Sequence, residues 1–124
     1  MSLDAIGIIS RDPLQSIRFY GLLGVEFKEL GEGHFEGTTP SGVRIMLDSV
    51  DLMKKLNPDW QEPTGVGIIL CFRQDAPRLV DEVHGQLTRA GFASVTEPWD
   101  AFWGQRYGSV LDPDGNQIDL FAPM

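Results

Sequence analysis

The feature that most constrains the fold is an internal duplication, because each half of the chain opens with an apolar run that a helical pattern follows. In the first half, the run IGIIS precedes Asp12, which a proline follows, and Gly24 marks a helix stop. In the second half, the run VGIILCF precedes Pro77 and a stretch with apolar residues at helical spacing. A repeat of this kind is sought before any other architecture is assumed. It predicts two like modules.

The ends of the two halves also match, because each closes with a turn and an alternating strand. The matched positions are Gly42 with Gly115, Ile45 with Ile118, Met46 with Asp119 and Leu47 with Leu120. Each half has room for two more strands between its helix and its last strand. The predicted fold is therefore α+β, with βαβββ modules over residues 1–48 and 65–124 that form curled mixed sheets and a ligand cup within one domain. A linker over residues 49–64, with a short helix before Asn57, joins them.

Alternation along the strands predicts one face against the helices and one face that lines the cup. In VGIILCF, we assign Val66, Ile68, Leu70 and Phe72 to the core, and Gly67, Ile69 and Cys71 to the other face. The other strands bring polar side chains to that second face, which is too polar for a core. These side chains are Arg44, Met46, Asp48, Tyr107, Ser109, Gln117 and Asp119.

Charge and composition narrow the classes of partner. The formal net charge is -8 over 124 residues, which argues against binding to nucleic acid and favours tolerance of a cationic ligand. The apolar runs are strand-sized, and no basic segment precedes an apolar one at the N-terminus. The sole cysteine, Cys71, fits a reducing compartment and is read first as a packing residue. We expect a cytoplasmic protein with no membrane partner.

The segment WGQRYGSVLDPDGNQIDLFAP, together with NPDWQEPTG upstream, resembles the vicinal oxygen chelate superfamily of glyoxalases, bleomycin-resistance proteins and extradiol dioxygenases. The resemblance covers essentially the whole chain, and it looks most like the mitomycin- and bleomycin-resistance proteins. It implies a homodimer with cups built from both chains, and a protein that binds drugs without changing them.

The resemblance also implies four metal-ligand positions, on the first and last strand of each module. They fall on Ala5, Met46, Gly67 and Asp119, of which only Asp119 has a donor side chain. Sliding an opening strand by two residues offers Gly7 or Ile69 and restores no ligand, and His34 and His84 lie elsewhere in the pattern. We therefore expect neither a metal nor another cofactor. The templates for nucleophilic elbows and metalloproteases find no match.

Aromatic side chains near the cup mouth supply the candidate binding site. Trp99, Phe102 and Trp103 fall in the stretch EPWDAFWGQ, which we read as a loop. The alternative to ligand binding for these aromatic residues is packing at the end of the sheet or at a dimer interface. For Arg44 and Arg106 the alternative is a salt bridge. The candidate ligand-binding residues are Trp103, Trp99, Phe102, Phe35, Tyr107, Met46, Asp119, Arg106 and Arg44.

Two functions follow from this reading. The first is metal-independent sequestration of an aromatic small molecule, such as an antibiotic of the mitomycin or bleomycin kind, with no catalytic residue. The alternative is an enzyme of the same superfamily: a lyase, isomerase or dioxygenase that uses Asp119 as a base, pairs Asp48 with Asp119, or binds a metal through unforeseen ligands. A ligand unrelated to drugs is a third possibility, since the site and not the fold determines function.

Overall fold

The computed structural model describes residues 3–65 and 67–124 of the chain. The chain divides into two compact units, Met1–Thr64 and Gly65–Met124. Each unit contains a four-stranded mixed sheet, and the predicted α+β fold with two βαβββ modules is confirmed. The segment expected as a linker, residues 49–64, falls within the first unit.

Unit 1 follows the predicted order and includes the short helix that was predicted before Asn57. Its elements are β1 (Ala5–Ser10), α1 (Pro13–Leu22), β2 (Phe27–Gly31), β3 (His34–Thr38), β4 (Arg44–Ser49) and α2 (Val50–Leu56). The strand order is β1-β4-β3-β2, with β1 parallel to β4 and the other neighbours antiparallel. Helix α2 ends directly before Asn57, as predicted.

Local signals in the sequence account for the ends of α1. The Asp12 side chain accepts a hydrogen bond from the backbone N–H of Gln15, and Pro13 occupies the first helical turn, where its missing N–H costs nothing. Just beyond the helix, Gly24 has a φ of 90°, a left-handed conformation that glycine adopts without strain. The predicted start and stop of this helix are confirmed.

The helix-covered face of the unit 1 sheet is apolar. Ile45 and Leu47 are buried on it, and Phe19 and Tyr20 of α1 are fully buried with their rings in edge-to-face contact at 5.0 Å. Along β4, the buried Ile45 and Leu47 alternate with side chains that are not fully buried, those of Arg44, Met46 and Asp48. This alternation confirms the predicted two faces of the strand.

Unit 2 repeats the same frame without the second helix. Its elements are β5 (Leu70–Arg73), α3 (Pro77–Arg89), β6 (Ser94–Ala101), β7 (Gln105–Leu111) and β8 (Gln117–Pro123). The strand order is β5-β8-β7-β6, with β5 parallel to β8. Buried Val80 and Leu87 of α3, with Ile118 and Leu120 of β8, form the apolar core of this unit.

The opening strand of unit 2 is shorter than predicted. Leu70 and Phe72 lie in register with Ile118 and Leu120, as expected for core positions, but Ile68 is 73% exposed, so its assignment to the core is wrong. The cause is the length of the partner strand: in this register Ile68 falls opposite Asn116, one residue before β8 begins at Gln117, so it has no strand residue to pair with. The predicted core position Val66 lies outside the described residues.

Among the described residues, no helix is long and apolar enough to cross a bilayer.

Candidate functional site

Each sheet has a face that its helices do not cover, and we call these faces the unit 1 open face and the unit 2 open face. The unit 1 open face carries His34, Glu36, Arg44, Met46 and Asp48. The unit 2 open face carries Cys71, Arg73, Trp99, Tyr107, Ser109, Gln117, Asp119 and Phe121. Residues that pair across neighbouring strands point to the same side of a sheet, so the register assigns each side chain to its face.

Asp119 lies at the centre of the unit 2 open face and is 5% exposed. One carboxylate oxygen accepts hydrogen bonds from Ser109 Oγ at 2.7 Å and from Gln117 Nε2 at 3.0 Å. The other oxygen accepts a hydrogen bond from the Tyr107 hydroxyl. Three donors thus hold one carboxylate, the arrangement that a charged acceptor requires when it leaves water.

The groups beside Asp119 are held in their protonated forms. Burial raises the pKa of the Tyr107 phenol well above its ordinary value, and the hydrogen bond to Asp119 and its charge raise the pKa further. Partial burial, with the Asp119 charge, also raises the pKa of the Cys71 thiol, while Tyr107 opposes this by hydrogen bonding. Cys71 is adjacent to Asp119 in the parallel pairing of β5 with β8. At neutral pH both groups are therefore neutral.

Aromatic rings continue outward from Tyr107. The Trp103 ring centroid lies 5.3 Å from that of Tyr107, 5.6 Å from that of Trp99 and 4.9 Å from that of Phe102. All three pairs are edge-to-face, whereas Tyr107 and Phe121 are stacked at 6.4 Å with an interplanar angle of 29°. Trp103 is 48% exposed and its indole Nε1 donates to Gln105 Oε1 at 2.8 Å. We call these five rings the aromatic cluster.

The reading of EPWDAFWGQ as a loop is wrong in part. Trp99 belongs to strand β6, where it pairs with Tyr107, and the turn between β6 and β7 contains Phe102, Trp103 and Gly104. Gly104 has a φ of 91°, which a tight turn at this point requires. The aromatic residues therefore sit on a hairpin, a firmer support than a loop.

The unit 1 open face carries a chain of charges in place of aromatic rings. The two ring nitrogens of His34 each bond a carboxylate: Nδ1 lies 2.5 Å from Asp48 Oδ1, and Nε2 lies 2.7 Å from Glu36 Oε2. The Arg44 guanidinium continues the chain by pairing with Glu36 and, at 2.6 Å, with Asp4.

These pairings shift the pKa values of the groups in the directions that ion pairs dictate. Hydrogen bonds to Asp48 and then to Glu36 raise the pKa of His34. The bond from His34 lowers the pKa of Glu36, and the bond to Arg44 lowers the pKa of Asp4. A neutral imidazole has one N–H only, so the bonds to two carboxylates require the imidazolium form.

The structure brings together five of the predicted site residues and separates the others. Trp99, Tyr107 and Asp119 lie on the unit 2 open face, and Phe102 and Trp103 lie in the turn beside them. Arg44 and Met46 lie on the unit 1 open face, where Met46 pairs with Gly7. The salt-bridge reading of Arg44 holds.

Phe35 and Arg106 lie on the helix-covered sides of their sheets, which corrects their expected placement in the cup. Phe35 pairs with the buried Leu47, and Arg106 pairs with the buried Ala122. The Arg106 guanidinium forms two hydrogen bonds of 2.8 Å to Asp81 of α3. Arg106 therefore anchors the helix to the sheet, and the salt-bridge reading holds for it as well.

The residues at the family's metal positions do not fit a metal. Ala5, Met46 and Gly67 supply no suitable donor, and both oxygens of Asp119 already accept hydrogen bonds. The register places Cys71, and not Gly67, beside Asp119. Across residues 3–65 and 67–124, no group of three or more His, Cys, Asp or Glu side chains is placed to hold a metal ion.

The sequence alone did not assign His34, Glu36, Arg73 or Phe121 to these faces. Phe121 was missed, although strict alternation along β8 from Asp119 places it on the same face. His34 and Glu36 were also missed as a pair, because their bonds depend on the register of β3 against β4, and only the spacing of two residues hinted at a shared face.

Comparison with known proteins agrees with this architecture. A family model described as the glyoxalase/bleomycin resistance protein/dioxygenase superfamily matches residues 2–120, and the chain belongs to that superfamily. The resemblance seen in the sequence is thereby confirmed. A search of curated proteins finds no significant match.

Solved structures with the same fold come from several bacteria. A glyoxalase/bleomycin resistance protein/dioxygenase family enzyme from Burkholderia phytofirmans PsJN is 19% identical, with a TM-score of 0.88 and 100% of both chains covered. A glyoxalase-related enzyme from Fulvimarina pelagi is 20% identical, with a TM-score of 0.83 over 98% of this chain and 87% of that one. A glyoxalase/bleomycin resistance protein/dioxygenase from Nocardioides is 21% identical, with a TM-score of 0.78 over 100% of this chain and 84% of that one. At these identities the likeness establishes the fold alone.

Proposed function

We propose that the protein binds an aromatic small molecule on the unit 2 open face, without a metal ion, and sequesters it unchanged. The observation that carries this proposal is the aromatic cluster, which is partly exposed and continues through Tyr107 to the hydrogen-bonded Asp119. An antibiotic of the mitomycin or bleomycin kind is the ligand class that the resemblance favours.

Exposure of the aromatic cluster supports binding over packing. Phe102 is 90% exposed, Trp103 48% and Trp99 40%, so a ligand that covers them removes apolar surface from water. Covering such surface contributes roughly 25 cal/mol per Å², and a well-placed ring pair adds about 0.5–1.5 kcal/mol. A few hundred Å² of contact therefore suffices for useful affinity.

The chemistry beside the cluster supports binding over catalysis. Tyr107 and Cys71 have raised pKa values, so neither supplies an anionic nucleophile or base at neutral pH. Tyr107, Ser109 and Gln117 occupy three of the about four acceptor sites of the Asp119 carboxylate, which leaves at most one for a proton from a substrate. The same three donors hold the Asp119 carboxylate in one orientation, in which it can face a bound ligand.

The second candidate function is an enzyme that uses Asp119 as a base, and its support is the close hydrogen bond between Asp119 and the Tyr107 hydroxyl. A buried carboxylate with a phenol partner can act as an acid–base pair. Elemental analysis of the purified protein separates a divergent metal enzyme from both metal-free proposals. One equivalent of Zn, Fe, Mn or Ni, lost in Asp119→Ala, would overturn metal independence.

We propose further that the protein is a cytoplasmic homodimer. Its sheets end in edge strands whose backbone groups lack a partner on one side, and apolar Val95 of the edge strand β6 is 48% exposed. Light scattering at micromolar concentration tests the assembly, and a monomeric mass counts against it.

The proposed site is tested by the variant Trp103→Ala. Because Trp103 is half exposed, we expect its loss to lower the free energy of unfolding by about 1 kcal/mol or less, against about 3–5 kcal/mol for a core tryptophan. Binding of planar aromatic natural products, followed by quenching of tryptophan emission, should weaken several-fold.

Trp60→Ala is the matched control, since it also removes one tryptophan but lies in unit 1. It should leave the affinity unchanged. If Trp103→Ala melts far below the parent while its folded fraction binds normally, Trp103 is a packing residue and the proposed site is wrong.

A further inference from the structure

The Asp119 carboxylate carries a negative charge that only neutral groups stabilise. Its three donors, Tyr107, Ser109 and Gln117, are a phenol, an alcohol and an amide. Within the described part of the chain, no lysine, arginine or histidine forms an ion pair with it. Hydrogen bonds from neutral donors offset only part of the free-energy cost of removing the Asp119 charge from water. This face therefore carries a negative potential that a nearby cation would neutralise.

The geometry of the aromatic cluster differs from that of a flat stacking platform. Trp103 stands at 89° to Trp99, 88° to Phe102 and 79° to Tyr107. Rings in edge-to-face contact present their free faces in different directions, whereas a planar ligand is sandwiched between parallel rings. Such an arrangement suits a compact cation, because the negative ring faces attract positive charge.

We propose that the ligand of the aromatic cluster carries a positive charge, as an alkylated ammonium or a protonated amine attached to its apolar part. The inference rests on the proposed function and names the ligand class for the same site. The charged head lies among the rings on the side towards Asp119, and Tyr107 belongs to both parts because it contacts Trp103 and donates to Asp119. The net charge of -8 attracts such a ligand from a distance.

Arg73 is the other charged residue on the unit 2 open face and provides an internal check. It is exposed, and it lies beside Phe121 in the register of β5 with β8, two residues beyond Cys71. A cationic ligand would be repelled weakly by Arg73, whereas an anionic ligand would be attracted to it. Removal of this charge therefore moves the affinities for the two ligand classes in opposite directions.

Three probes of matched shape measure the charge preference: para-hydroxyphenyl-trimethylammonium, para-tert-butylphenol and para-hydroxybenzenesulfonate. They share a phenol ring and a tetrahedral head, which is cationic, neutral or anionic. We expect calorimetry or ligand-observed NMR on the full chain to show that the cation binds at least about tenfold more tightly than the neutral probe, with no detectable binding of the anion.

Two variants trace the preference to Asp119. Asp119→Asn removes the charge at nearly constant shape and should bring the affinity for the cation close to that for the neutral probe. Glu82→Gln is the matched control, because it removes one negative charge on the exposed side of α3, where Glu82 pairs with Arg78. It should change neither affinity. Arg73→Gln should tighten binding of the cation about twofold, as expected for a screened surface charge.

The outcomes separate this inference from the proposed function. If the neutral probe binds the wild type as tightly as the cation, or the anion binds best, the inference is wrong and the aromatic-binding proposal stands. If none of the three probes binds at millimolar concentration, both fail. The comparison of probes on the wild type decides the matter even if Asp119→Asn does not fold.

Discussion

The two open faces use the same frame to hold charge in opposite ways. In unit 1, His34 and Arg44 each lie between two carboxylates, so positive and negative groups alternate along the face. In unit 2, Asp119 is held by neutral donors and bordered by aromatic rings. The first face pairs its charges with one another, whereas the second holds the charge of Asp119 through neutral donors only.

This contrast shows which positions of a duplicated module are constrained. Ile45 and Leu47 match Ile118 and Leu120 because both pairs are buried under helices, where volume and polarity decide stability. Met46 and Asp119 occupy matched positions on the open faces, and they share no chemistry. The core-facing half of each strand preserves the fold, while the open half is free to specialise.

The largest expected difference between the faces is the effect of deleting the carboxylate. Asp119→Ala leaves three donors without their acceptor at a buried site, and we expect the free energy of unfolding to fall by about 2–4 kcal/mol. Asp48→Ala removes a partly exposed ion pair on the other face and should lower the free energy of unfolding by about 1 kcal/mol or less.

Urea denaturation of both variants measures the difference, with Ser109→Ala as a control that removes one of the three donors. Equal losses in the two carboxylate variants would show that the faces do not differ in this respect.

The second difference is a pH dependence that belongs to the unit 1 face. The pKa of His34 is raised in the folded protein, so its contribution to stability is complete below the ordinary value of 6.5 and is lost as the pH rises through the raised value. We expect a loss on the order of 1 kcal/mol in the free energy of unfolding across that window.

Urea denaturation at successive pH values tests this expectation, and His34→Gln is the comparison. The stability gap between wild type and variant should shrink with rising pH. A gap that stays constant or widens contradicts the assigned role of the imidazolium.

The smallest expected effect concerns Cys71 on the unit 2 face. Partial burial and the Asp119 charge raise the pKa of its thiol, so alkylation by iodoacetamide at neutral pH should be a few-fold slower than that of free cysteine. Asp119→Asn should speed the reaction, and Asp48→Asn should not.

The rate is read directly from intact mass, since the chain has one cysteine. Equal rates in wild type and Asp119→Asn would mean that the Asp119 charge does not reach the thiol.

The sequence predicted those parts of the fold that depend on local signals. Asp12 and Gly24 bound a helix through their own backbone and side-chain preferences, and the alternation of Ile45 and Leu47 identified a buried face. The start of β5 could not be read in the same way. Ile68 looks like a core residue, and only the length of the partner strand leaves it outside the sheet.

The candidate site was predictable only where the sequence indicated which side chains of a strand point to which face of the sheet. Phe35 and Arg106 were expected on the open faces, and a shift of one residue along a strand is enough to send a side chain to the opposite face. Asp119 was placed on its face because the repeat fixed the phase of β8. The bonds of His34 could not be predicted, since they join strands whose register no local pattern specifies.

The strand order has a consequence for synthesis of the chain. In each unit the strand that comes last in sequence, β4 or β8, lies inside the sheet between the first strand and the third. As the protein leaves the ribosome, β5 therefore waits for residues 117–123 before it gains a neighbour. The final seven-residue strand completes the second sheet, and with it the carboxylate of Asp119 arrives beside partners that were made earlier.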